Sequence, residues 1–107
     1  MTYAALRSLG LAVAATILLG FASAQAEELK VTIDNFTFTP AELKVKVGDT
    51  VTWTNHDDIP HTVVSAGKYR SKAMDTDGTF TFTFTSAGDY KYFCSLHPHM
   101  TGMIKVE

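Results

Sequence analysis

The feature that most limits what this chain can become is an alternation of apolar and polar residues with a period of two, recurring from residue 29 to the C-terminus. Leu29, Val31 and Ile33 alternate with Lys30, Thr32 and Asp34, and Leu43, Val45 and Val47 with Lys44 and Lys46. Val51 and Trp53 alternate with Thr52 and Thr54, and Phe80, Phe82 and Phe84 with Thr81, Thr83 and Thr85. Tyr90, Tyr92 and Cys94 keep the rule around Lys91 and Phe93, and Met103-Ile104-Lys105-Val106 closes the chain. Successive side chains of a strand point to opposite faces, so each run predicts a strand with one face in a core and one in water. No comparable helical period follows residue 26.

Pro40, Gly48-Asp49, Gly67, Asp77-Gly78 and Gly88-Asp89 separate the runs and read as turns. Gly48-Asp49 and Gly88-Asp89 predict tight reversals, where glycine adopts positive φ at little cost. Many short strands at this spacing predict an all-β, antiparallel sandwich or barrel. Phe36, Phe38, Trp53, Phe80, Phe82 and Phe84 supply the bulk of the expected core. Residues 65–79 are the least regular stretch and predict a loop with room for a short strand or helical turn.

The N-terminal segment obeys a different logic. Arg7 precedes an uncharged apolar run over residues 9–21, and Ala22-Ser23-Ala24-Gln25-Ala26 follows. A basic start, a short apolar core and an A-x-A exit describe a secretory signal peptide over residues 1–26, cleaved after Ala26. The apolar run is 13 residues, against the about 20 that span a bilayer. A retained anchor is thus the weaker alternative, and no stable membrane insertion is expected after cleavage. Residues 27–107 then form one exported, periplasmic domain. Of 9 Lys+Arg and 11 Asp+Glu only Arg7 lies in the leader, which leaves 8 against 11 and a formal net charge of −3. That mild acidity argues against nucleic acid as a partner.

The chain has one cysteine. An exported domain of this size commonly relies on disulfides, and a lone thiol in an oxidising compartment calls for something to occupy it. Cys94-Ser95-Leu96-His97-Pro98-His99-Met100 puts a thiolate, an imidazole and a thioether in one short loop at a strand end, stiffened by Pro98. His61, within Ile59-Pro60-His61-Thr62-Val63, offers a second imidazole. Singly, Cys94 reads as a small buried hydrophobe, His61 as a hydrogen-bonded histidine and Met100 as core. Together, one Cys, two His and one Met are the ligand set of a blue-copper electron-transfer centre. Met103 competes with Met100 for the axial place, but it lies past Gly102, where a strand resumes. His56, beside Asp57 and Asp58, reads as solvated, and His99 as surface decoration.

Three segments carry a resemblance to the cupredoxins, and within them to the amicyanin- and pseudoazurin-like group. They are Val45-Lys46-Val47-Gly48-Asp49-Thr50-Val51-Thr52-Trp53-Thr54-Asn55, then Pro60-His61-Thr62-Val63, then residues 88–102 from Gly88-Asp89-Tyr90 through the Cys94 loop to Thr101-Gly102. The resemblance implies a Greek-key β-sandwich with one copper ion at one end, held by His61, Cys94, His97 and Met100. It implies that Asn55 ties the two ligand loops together, and that His97 reaches solvent through an apolar patch lined by Leu96, Pro98 and Met100. Only 33 positions separate His61 from Cys94, short for this family, so a hairpin at one sheet edge is expected to be trimmed.

These readings converge on a periplasmic, monomeric, non-enzymatic protein that shuttles single electrons. Its expected partner is a redox protein such as a c-type cytochrome or a dehydrogenase. The alternative is a copper carrier or storage protein built on the same site. A thiol enzyme with Cys94 as nucleophile finds no further support in the chain.

Overall fold

The computed structural model describes residues 25–107, so the expected signal peptide falls almost wholly outside the described residues. Nine strands are present among them: β1 (Glu28–Asp34), β2 (Thr37–Thr39), β3 (Glu42–Val45), β4 (Thr50–Asn55), β5 (Val64–Ser65), β6 (Tyr69–Arg70), β7 (Thr79–Thr83), β8 (Gly88–Phe93) and β9 (Thr101–Val106). They form two sheets, ordered β2-β1-β4-β7 and β3-β9-β8-β5-β6. The all-β sandwich expected from the alternation is borne out. Its pairing is mixed, however, because β1 runs parallel to β4 and β3 parallel to β9. Parallel neighbours need a crossover, and between β1 and β4 the chain crosses to the opposite sheet through β3 before it returns.

The alternation explains the layers. In β4 the burial alternates residue by residue, so Val51, Trp53 and Asn55 face inward. Thr50 and Thr52 face outward, and their hydroxyls meet those of Thr83 and Thr81 across the β4–β7 pair at 2.8 and 3.0 Å. Such cross-strand pairs stabilise a sheet by a few tenths of a kcal/mol to about 1 kcal/mol each. Trp53 is fully buried, with ring centroids of Tyr69, Phe80 and Tyr92 at 5.7, 5.6 and 5.5 Å. Truncating a core aromatic of this kind costs about 3–5 kcal/mol. Gly102 has no side chain because the Tyr92 ring occupies the space its Cβ would take.

Three expectations need correction. Phe36 is not core: it is 49% exposed in the turn between β1 and β2. Phe80 and Phe82 are only half-buried, because β7 is the edge of its sheet. Gly88-Asp89 does not make the reversal, since both residues already belong to β8 and pair with β9. Gly48-Asp49 does behave as expected. Gly48 takes φ 98°, and buried Asp49 accepts the N–H groups of Lys46 and Glu27 at 2.7 and 2.8 Å. Those bonds, that from Glu27 foremost, hold its carboxyl below the usual range. Within the irregular stretch 65–79 lie the two-residue β6 and a single bridge from Met74 to His61. β5 and β6, two residues each, form a short hairpin at one edge of the second sheet.

Candidate metal centre

The site forms where strands of both sheets end. β4 leads into residues 56–60, and His61 is then fixed by reciprocal backbone bonds with Met74, at 3.2 and 2.8 Å. β8 ends at Phe93 and delivers Cys94 into the loop. That loop is wound by two successive turns: the His97 N–H donates to the Cys94 carbonyl at 3.2 Å and the Met100 N–H to the His97 carbonyl at 2.9 Å. The Cys94 N–H donates to the Met100 carbonyl at 3.1 Å and closes the loop on itself.

These two loops bring together three of the four expected donors. Cys94 Sγ lies 3.8 Å from His61 Nδ1 and 3.7 Å from His97 Nδ1, and the three donor atoms lie within 4.8 Å of one another. Donors each about 2.0–2.3 Å from a shared ion would be separated by about 3.5–3.8 Å in a tetrahedral or trigonal arrangement. The spacing therefore fits a single metal ion, and a thiolate with two imidazoles suits copper. Cys94 and His61 are fully buried, and His97 is half-buried. Burial works against the thiolate most strongly, but the Thr62 N–H at 3.4 Å, the two imidazoles and the Thr62 hydroxyl outweigh it, drawing the thiol down to about 6. The sulfur is thus ready to ligate near neutral pH.

Met100 is 6% exposed and packs in the same buried cluster as Cys94. Met103 sits on the outer face of β9, opposite the inward Ile104 and Val106, and lines a broad surface groove with Glu42, Lys91 and Pro98. None of the three donors lines that groove.

The sequence reading missed three residues that organise the site. Asp57 Oδ2 stands 2.8 Å from His61 Nε2. The N–H groups of Phe36 and Asn35, with the His61 ring, hold the Asp57 carboxyl below its ordinary range against the opposing effect of burial. An ionised carboxylate only accepts, so Nε2–H donates and Nδ1 is the ring nitrogen turned toward Cys94. Thr62 Oγ1 accepts the Ser95 N–H at 2.7 Å and lies 2.8 Å from the Ser95 hydroxyl. Thr62, rather than Asn55, therefore stitches the two ligand loops together. Asn55, fully buried, instead braces the approach to His61: its Nδ2 donates to the carbonyls of Ile59 and Met74, both at 2.9 Å, and its Oδ1 accepts the Asp57 N–H at 3.0 Å. Phe36 is the third: its ring stands edge-on to His61 and His97, at 5.4 and 5.2 Å.

Exposed apolar side chains adjoin His97 and His61 in the chain or pack on them. Leu96, Ile59 and Phe36 are 52%, 36% and 49% exposed, and Pro60 and Pro98 are exposed beside them in sequence. Met100, expected in this patch, is buried beneath it. His99 is exposed, and His56 is half-exposed and 3.7 Å from Asp77.

Comparison with known proteins gives this geometry a family context. The model of the Cupredoxin-like domain matches residues 8–106. Amicyanin of Paracoccus denitrificans is 36% identical over 95 residues, covering 81% of this chain and 72% of that protein. Amicyanin-alpha of Methylorubrum extorquens is 33% identical over 102 residues, covering 90% and 86%. Among solved structures, the Cu(I) form of an amicyanin variant superposes with a TM-score of 0.73 at 36% identity, covering 80% of this chain and 88% of that one.

Proposed function

The chain belongs to the cupredoxin family, and from that premise we propose that it is a type 1 copper protein of the periplasm that carries single electrons between redox partners. The observation that carries this reading is the convergence of Cys94 Sγ with the Nδ1 atoms of His61 and His97 at 3.8 and 3.7 Å. Cys94, His61 and His97 would hold the ion, with Met100 as the fourth donor. A copper ion held by this set supplies a one-electron Cu(I)/Cu(II) couple.

The protein's own residues keep the donors in place before and after the electron moves. The closed 94–100 loop fixes Cys94, His97 and Met100 relative to one another. Thr62 locks that loop to His61, and Asp57 fixes the His61 ring. Preformed donors leave little to rearrange, which is what a fast electron carrier requires. The apolar collar of Ile59, Leu96 and Pro98 gives a redox protein, such as a c-type cytochrome or a dehydrogenase, a route to His97. Electron-transfer complexes are typically small and transient, and a small apolar patch suits them. The remaining parts of the reading are cleavage of residues 1–26 on export, a monomeric domain over residues 27–107, and a carrier role rather than an enzymatic one.

The rival is a copper carrier or storage protein with the same donors. Voltammetry of the copper-loaded protein separates the two. An electron shuttle gives a reversible one-electron wave with the metal retained through repeated cycles. A colourless protein that holds only Cu(I) and yields it readily to a competing chelator would be the carrier.

A further inference from the structure

The β1–β2 turn carries a residue that neither the core nor local preference explains. Asn35 and Phe36 alone separate the paired residues Asp34 and Thr37, and both have left-handed φ, 51° and 57°. Two successive positive φ values are what a two-residue type I′ hairpin loop requires, and its second place ordinarily belongs to glycine. A bulky aromatic there is costly, and Phe36 gains little burial in return, being 49% exposed.

What holds it is the site itself. Asp57 Oδ1 accepts the Asn35 N–H at 2.6 Å and Asp57 Oδ2 the Phe36 N–H at 2.9 Å. The same Oδ2 accepts from His61 Nε2 at 2.8 Å. The Phe36 ring then meets His61 at an interplanar angle of 81° and His97 at 88°, while the two imidazoles meet each other at 4.9 Å. The three rings form one edge-to-face cluster, and Phe36 is its solvent-side member. A strained conformation that persists because its surroundings impose it points to function.

We propose that Phe36 is a lid on the metal centre: it keeps the half-buried His97 ring from swinging outward and so retards entry and departure of the ion. It is a positioning residue, acting through His97 and not on the ion. The proposal rests on the reading of the site as a copper centre.

The test is the rate at which a competing Cu(I) chelator strips reduced, copper-loaded protein, measured for wild type, Phe36→Gly and Phe36→Leu, beside the melting temperature of each metal-free protein. Phe36→Gly removes the ring and relieves the backbone, so the metal-free variant melts at or above the wild-type temperature, while its copper is lost about tenfold faster or more, the scale on which residues supporting metal ligands act. Phe36→Leu keeps bulk over His97 and loses copper at a rate between the two. Equal stripping rates in wild type and Phe36→Gly would overturn the lid. So would faster stripping accompanied by a clear fall in the melting temperature of metal-free Phe36→Gly, which would make the residue structural. Wild-type protein that takes up no copper would instead overturn the reading of the site.

Discussion

His61 Nε2 donates to Asp57 Oδ2 across 2.8 Å, the imidazole fully buried and the carboxylate near the surface. This contact fixes the ring so that Nδ1 is the nitrogen that faces Cys94, and the same carboxylate anchors the turn at Asn35 and Phe36. Asp57→Ala is expected to weaken copper binding by about 10–100-fold, the usual effect of removing the partner of a ligating histidine. Asp57→Asn keeps an acceptor and should lie between. Competition titration with a chelator measures both; unchanged affinity in Asp57→Ala would remove Asp57 from the site.

The axial assignment rests on which face of the fold each methionine occupies. Met100 is buried with Cys94, whereas Met103 faces outward from β9. Met100→Gln should lower the reduction potential while keeping the colour, because an amide oxygen favours Cu(II) more than a thioether does. Met103→Leu should leave the potential where it was. The reverse pattern in voltammetry would transfer the axial role to Met103.

Among the described residues Leu96 is the most exposed of the large apolar side chains, at 52%, and it precedes His97 directly. A charge placed there should disfavour docking without touching the donors. Leu96→Asp is expected to slow electron transfer to the physiological partner, with spectrum and potential nearly unaltered. Stopped-flow kinetics indistinguishable from wild type would place docking elsewhere on the surface.

Alkaline pH should unfold the domain through its buried tyrosines. Burial pushes Tyr92 up to about 12, and Tyr69 higher still. Neither hydroxyl has a hydrogen-bond partner among the described residues. A raised phenol pKa means that the fold favours the neutral form. The associated stability is fully present below the unfolded value of about 10 and is lost as pH rises through the folded value. The stability should therefore fall from about pH 10 upward, by at most about 1.4 kcal/mol per pH unit for each tyrosine, and the melting temperature should fall with it. Tyr92→Phe should flatten the fall. A melting temperature independent of pH from 9 to 12 would contradict this.

The long strands were legible because each has one buried and one wet face, as β4 and β8 show in their alternating burial. β2, β5 and β6 were not, since two or three residues carry no period. Cys94, His97 and Met100 were legible because they are local: one closed loop holds all three. Asp57 was hidden because its link to His61 depends on the path of residues 57–60, and an i,i+4 spacing outside a helix signals nothing. The Thr62–Ser95 contact spans 33 positions and needs both loops in place. Phe36 was misread because aromatic residues in alternating sequence ordinarily point inward, and its left-handed φ follows from bonds to Asp57 that no local pattern announces.

The central claim is that Cys94 binds copper as a thiolate within a site shared with His61 and His97. It is tested most directly by the visible absorption spectrum of the protein titrated with Cu(II), for wild type and for Cys94→Ser. One equivalent of metal should produce an intense band toward the red end of the spectrum in wild type, and none in a Cys94→Ser protein that still unfolds cooperatively. A wild type without that band at full copper loading, or a band that survives Cys94→Ser, would contradict the account.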